Sequence, residues 1–253
     1  MLDWIRRIKK ITQTLSLPSR DSSSRSQSQL NPAKLIPATE VFLSQLIQHH
    51  LLVADLLIDD ATRASEANAK KQRAIAARYQ ARAKDLQELL IKLGASYMEV
   101  QQQIRDRLDV LIERTEGKGW PEDVMRIFIV FTLLEDAYLR LAKGLTPARR
   151  LKVEAMLSDN SLADYCQEAL AGAIENLPQL TNDLALFGRA ILADALLEVR
   201  DLASFDEVLR DKPKDPVELT REQFKVLEPL TSELVANHTL RMDSVSYTHL
   251  RAH

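Results

Sequence analysis

The chain of 253 residues has five imidazoles: His49, His50, His238, His249 and His253. Carboxylates lie near the first pair and recur further along. Asp55 and Asp59 follow it, Glu135 and Asp136 close an apolar run, and Asp159 stands later. Carboxylates brought together inside a helical bundle can form a metal or acid–base pocket. Carboxylates on helix faces can equally be solvated or paired with arginine. For Asp55, Asp59 and Asp60 the paired or solvated reading is preferred. For Glu135 and Asp136 both readings stand, because their helix offers little solvent face. Dinuclear metal sites in bundles use Glu-x-x-His, whose spacing puts both ligands on one face. The chain contains no such motif, and its imidazoles are too few for an ordinary di-iron centre.

A second constellation is basic. KKQRAIAARYQARAK, residues 70–84, carries six cations and no acid. Lys71, Arg78 and Arg82 share a helical face with Tyr79 among them, a pattern that could grip an RNA phosphate backbone. The competing expectation is pairing with an acidic neighbour, which Asp55, Asp59, Asp60 and Glu66 could supply. No G-x-S-x-G, P-loop or G-x-G-x-x-G is present. Cys166 is the single cysteine, which excludes an intrachain disulfide and a cysteine-based zinc site and suggests a reducing compartment.

The elements that must position these groups are helices. Gly (6), Pro (9) and aromatic residues (5%) are scarce, while hydrophobic residues make up 45% and charged residues 28%. That composition supports a packed core and an all-α fold. The formal charge of −2 argues against a dedicated polyanion binder. No run approaches the roughly 18 apolar residues of a membrane span, and no signal peptide is evident, so a cytoplasmic location is expected.

Residues 1–15 form a basic amphipathic pattern, with Trp4, Ile5, Ile8, Ile11 and Leu15 on one face. It predicts an extra N-terminal helix that docks on its own bundle or makes weak membrane-surface contact. Residues 16–36 read as a Ser-rich disordered linker. The folded body, 37–242, begins with a helix capped by Thr39. A second helix spans about Lys71 to Leu93 and stops at Gly94, and a third spans Tyr97 to Thr115. A fourth starts near Pro121 and reaches about Lys143 through MRIFIVFTLL, apolar all round and hence the most buried. Further helices are expected over Pro147–Asn176, with a bend near Ser158–Asn160, over Thr181–Ala203, and over Arg221–Met242. Residues 243–253 read as sequencing read-through and are set aside with His249 and His253.

Seven segments in order carry a family resemblance: IDDATRA (58–64), LQELLIKLGAS (86–96), LDVLIERTEGKGW (108–120), EDAYLRLAKGL (135–145), EAMLSDNSLADY (154–165), LALFGRAILADAL (184–196) and LVANHTLRM (234–242). Together they resemble the actinobacterial ferritin-like proteins related to the isopentenyladenosine tRNA hydroxylase. The resemblance implies a ferritin-like helical bundle and a di-iron oxygenase ancestry.

The family's metal motif is altered here. Its first-helix Glu falls at His50, its Glu-x-x-His at Tyr79 and Arg82, and a later Asp-x-x-His at Asp159 and Leu162. The metal candidates that remain are His50, Glu135, Asp136 and Asp159. Tyrosine, arginine and leucine cannot hold two irons in an oxygen-rich site. Arg82 is therefore expected to stand as a fixed cation neutralising Asp136 or Asp159. The leading expectation is a metal-depleted, non-catalytic binding or scaffold bundle with no cofactor, open to homo-oligomer formation. The alternative is an oxygenase, with iron as cofactor, acting on modified tRNA or another substrate through an atypical site. A third is RNA binding through Lys71, Arg78 and Arg82, or membrane contact through residues 1–15.

Overall fold

The computed structural model describes residues 31–94, 98–209, 211 and 215–247. The amphipathic segment 1–15, most of the Ser-rich linker and the end of the tail lie outside the described residues. Among those described, all regular structure is helical. The helices are α1 (Thr39–Asp60), α2 (Glu66–Ile91), α3 (Met98–Arg114), α4 (Trp120–Arg126), α5 (Thr132–Leu141), α6 (Pro147–Leu157), α7 (Ser161–Asn176), α8 (Leu180–Leu202) and α9 (Pro216–Tyr247).

α1 is the central helix. Every residue from Phe42 to His50 is buried, and Val53, Ala54 and Leu57 continue the buried set. By length and composition it could cross a membrane, yet 67% of its most apolar window is buried inside the bundle. Its N-cap is Ala38, with no side-chain hydrogen bond, so Thr39 is the first helical residue and not the expected cap. After a short turn, α2 starts at Glu66, five residues before the expected Lys71, because the Ser65 hydroxyl accepts from the Asn68 N–H. α2 ends at Ile91 with Lys92 as its C-cap, short of the expected stop, and the turn that follows reaches Gly94, whose φ of 76° is a left-handed conformation that suits glycine.

α1 and α2 pack as an antiparallel pair, α2 touches α7, and α7 packs on the segment joining α4 to α5. That joining segment packs back on α1, which closes a four-helix ring. α8 and α9 cover the outer side of α4 and α5, and α3 bridges α1 and α8.

The buried helix is not uniformly α. Ile127–Phe131 forms a π-helical turn between α4 and α5, with all five side chains buried. One extra residue in the helix rotates everything after it by about 100° relative to an unbroken helix. Glu135 and Asp136 therefore take their directions from this turn. α8 approaches it closely at Gly188, where an added Cβ would lie 2.6 Å from Ile129 Cδ1.

Other differences from the sequence reading concern ends and breaks. The segment Pro147–Asn176 is two helices, separated at Ser158–Asn160. The last helix runs from Pro216 to Tyr247, past the expected stop at Met242. Pro32–Leu35, assigned to the linker, forms a 3-10 turn with Leu35 buried. It packs against the 3-10 turn Ala142–Gly144 that precedes α6.

Candidate functional site

The interior of the ring carries a polar layer. His49 and His50 are both fully buried on α1, an unusual density of imidazole in a packed core. The His50 Nδ1 lies 2.7 Å from the Leu46 carbonyl one turn back. That carbonyl can only accept, so Nδ1 carries the proton and Nε2 is left as a bare acceptor. Nε2 has no hydrogen-bond partner among the described residues. Burial, helped by His49 and by the Arg82 charge, lowers the His50 pKa to about 3 against the pull of the Leu46 carbonyl. His50 is thus a neutral ring, tilted against Tyr79 at 5.1 Å between centroids.

Tyr79 comes from α2 and donates its phenolic O–H to Glu135 Oε1 on α5. Burial, followed by the Glu135 carboxylate, drives the Tyr79 pKa upward, so the phenol keeps its proton. The same Glu135 oxygen lies 3.6 Å from His49 Nε2. His49 is otherwise packed among the rings of Phe131, Tyr138 and His50.

One turn beyond Tyr79, the Arg82 guanidinium stands 5.1 Å from the Tyr79 ring centroid. It also bonds Asp159 Oδ2. Asp159 sits in the α6–α7 break, where its other oxygen accepts the Ser161 N–H at 2.9 Å. Burial works to raise the Asp159 pKa, but the Ser161 N–H and Arg82 outweigh it and hold the carboxyl below its usual range.

The four candidate ligands are therefore not gathered on one point. His50 and Glu135 lie in the buried layer on either side of Tyr79. Asp159 lies at its edge, held by Arg82. Asp136 turns toward α9, where its Oδ2 is 2.6 Å from an Arg241 nitrogen. Of the two partners expected for Arg82, Asp159 is the one it takes. Among the described residues no group of three His, Cys, Asp or Glu side chains is placed to hold a metal ion.

The basic stripe pairs with different acids from those expected. Lys71 reaches Glu168 on α7 at 2.6 Å, and Arg78 lies 3.6 Å from Asp159. Asp59 and Asp60 are engaged elsewhere. Arg63 bridges Asp60 at 2.7 Å and Asp123 at 2.8 Å, while Arg126 holds Asp123 at 3.1 Å. Burial, then the nearby Asp123, pushes the Asp60 pKa up to about 7.

Two groups escaped the sequence reading. His49 packs against the Tyr79–Glu135 pair, and the only signal for it was its place beside His50 in an apolar helix. Glu198 on α8 is buried and bonds Arg107 at 2.9 Å. Burial raises its pKa to about 7 although Arg107 pulls it down. Cys166 is fully buried and its thiol pKa is raised by burial, the profile of an unreactive core cysteine.

No curated protein matches the chain. Residues 41–210 match a family model described as the ferritin-like domain of actinomycetes. That span covers α1 through α8 with the whole buried polar layer, and the chain belongs to this family of ferritin-like domains.

Proposed function

We propose that this chain is a ferritin-like bundle, related to tRNA hydroxylases, in which a protein-built polar network replaces a di-iron centre, and that it acts as a non-catalytic binding or scaffold protein. One observation carries the reading: Arg82 extends from α2 into the edge of the polar layer and engages Asp159. A guanidinium is permanently charged. A divalent cation placed beside it would meet repulsion and would have to displace it from Asp159. Tyr79 adds to this, since its O–H donates to the Glu135 oxygen that a metal would need. Asp136 is engaged with Arg241. Two irons in a bundle call for carboxylates from several helices and for Glu-x-x-His pairs. The residues here do not fit that requirement.

The competing reading, an oxygenase with an atypical site, draws on the bare His50 Nε2 and on the His49–Glu135 approach. Metal content decides between them. The full chain is loaded anaerobically with Fe(II), or with Mn(II), desalted and assayed for bound metal, with His50→Ala as control. The expected result is no stoichiometric metal in a folded helical protein. About two metals per chain, lost in His50→Ala, would overturn the proposal and favour the oxygenase.

A further inference from the structure

A second group of buried polar side chains comes from α1, α2 and α7, apart from the Tyr79–Glu135 pair. Asp60 and Gln72 are fully buried, and Tyr165 is 4% exposed. Asp60 Oδ1 accepts from Arg63 at 2.7 Å, but Asp60 Oδ2 has no hydrogen-bond partner among the described residues. The same holds for the Tyr165 hydroxyl and for both the oxygen and the nitrogen of the Gln72 amide. Unpartnered polar atoms on three neighbouring helices call for an explanation, because buried groups of this kind are nearly always paired.

These atoms converge on the Tyr165 hydroxyl. It faces the Gln72 amide, and the Asp60 carboxyl is near enough for its charge to act on both Tyr165 and Cys166, the next residue of α7. Burial, then Cys166 and Asp60, raises the Tyr165 pKa, so the hydroxyl keeps its proton and can donate. Yet no two of the three side chains close a direct hydrogen bond. Polar groups that face one another without touching are the usual setting of a bridging water. Solvent is close by. A cleft of about 1000 Å³ is lined by Asn68, Lys71, Glu168 and Ala169, each within one turn of Gln72 or Tyr165 along its helix.

We infer that an ordered water molecule binds between Asp60, Gln72 and Tyr165, and that this water, not a direct side-chain contact, ties α2 to α7 at this level of the bundle. The hydrogen-bond inventory matches. The Gln72 N–H and the Tyr165 O–H donate, while Asp60 Oδ2 accepts. One water can take both donors and give a hydrogen to the carboxylate, which makes the three bonds usual for a buried water. It also suits either form of Asp60, since water can donate to a carboxylate or accept from a carboxylic acid. A small cation fits less well, because the Arg63 guanidinium already holds the same carboxylate. An apolar molecule would leave every one of these polar atoms unpaired.

Gln72→Met and Tyr165→Phe keep the shape of each side chain and remove its polar end. Deleting a buried group that is bonded to water leaves its partners short of a bond, whereas deleting a dry, unpaired one relieves the fold. In urea unfolding of the full chain, each single substitution should therefore lower the midpoint. The double variant should lose clearly less than the sum of the two, because both act through one water. A midpoint that rises in either single variant, or losses that simply add, would overturn the inference. A second measurement needs no substitution: a crystal structure of the full chain at a resolution that shows ordered water. The expected density is one water within about 3 Å of both the Tyr165 hydroxyl and the Gln72 amide. A direct Tyr165–Gln72 hydrogen bond, which would also couple the two substitutions, overturns it, and so does a gap without density.

Discussion

The sharpest consequence of the buried layer is the way His50 ties stability to pH. Its unfolded pKa is 6.5 and its folded value about 3. Between those values the unfolded chain binds a proton at this position and the folded chain does not. Stability from this group is fully present above 6.5 and is lost as pH falls toward 3. Each pH unit inside the window is worth about 1.4 kcal/mol, so descending from 6.5 to about 4.5 costs the native state about 2.7 kcal/mol through His50 alone. His50→Gln removes the titration while its amide can still donate to the Leu46 carbonyl. Other groups titrate in the same range, but they are common to both proteins and cancel in the difference. The assay is urea unfolding of both at several pH values from about 4.5 to 7.5. The variant's disadvantage at neutral pH should shrink, or reverse, by about 2.7 kcal/mol at the acid end. Parallel pH profiles would refute the reasoning, because they would mean that the folded His50 takes up its proton as readily as the unfolded one.

Two further perturbations probe other buried polar groups. Asp60 has the opposite sign: its folded pKa of about 7 exceeds the ordinary 3.8, so the folded state holds the extra proton and stability falls as pH rises through that window. Asp60→Asn should therefore gain on the parent protein by roughly 1.4 kcal/mol per pH unit between about 4 and 7, measured by the same unfolding series. Tyr79→Phe leaves Glu135 without its phenolic donor and should cost about 1–3 kcal/mol. Adding Glu135→Gln should recover part of that loss in a double-mutant cycle, and additive effects would show that the pair is not coupled.

The helical architecture was legible because period and punctuation agree over most of the chain. Pro121 and Pro147 stand at the starts of helices and Gly94 ends the turn that follows α2, as their backbone preferences require. The π turn at Ile127–Phe131 was not legible. A run apolar on every side has no phase, so nothing in MRIFIVFTLL marks where an extra residue is inserted. That turn sets the directions of Glu135 and Asp136, so their separate fates, toward Tyr79 and toward Arg241, could not be read either. The partners of Lys71 and Arg78 were misjudged for a different reason. Complementary charge says that a basic helix wants acids, but the choice between α1 and α7 depends on which helix faces it. Asp60 was occupied by Arg63, three residues away in its own segment, before any α2 cation could claim it. Arg82 with Asp159 was anticipated only because the resemblance placed both at the altered metal motif. Composition and spacing alone did not single them out.

The polar contacts inside the bundle have an arrangement that bears on how its helices are kept in register. Tyr79 to Glu135 joins α2 to α5, Arg82 to Asp159 joins α2 to the α6–α7 break, and Asp136 to Arg241 joins α5 to α9. His49, near Glu135, and His50, against the Tyr79 ring, place α1 against the first of these pairs. Buried or half-buried ionic pairs seldom add much net stability, since desolvation offsets most of the attraction. What they do penalise is misalignment: sliding α2 by one turn would move Tyr79 away from Glu135 and leave a carboxylate and a guanidinium short of partners at the same moment. The surrounding core of Leu, Ile, Val and Phe imposes no such penalty, because one apolar contact replaces another at little cost. A metal centre would hold α1, α2, α5 and α7 in register through shared ligands. Under the proposed function, hydrogen bonds and ion pairs anchored on two neighbouring turns of α2 would do that work, with Arg82 as the cation of the layer.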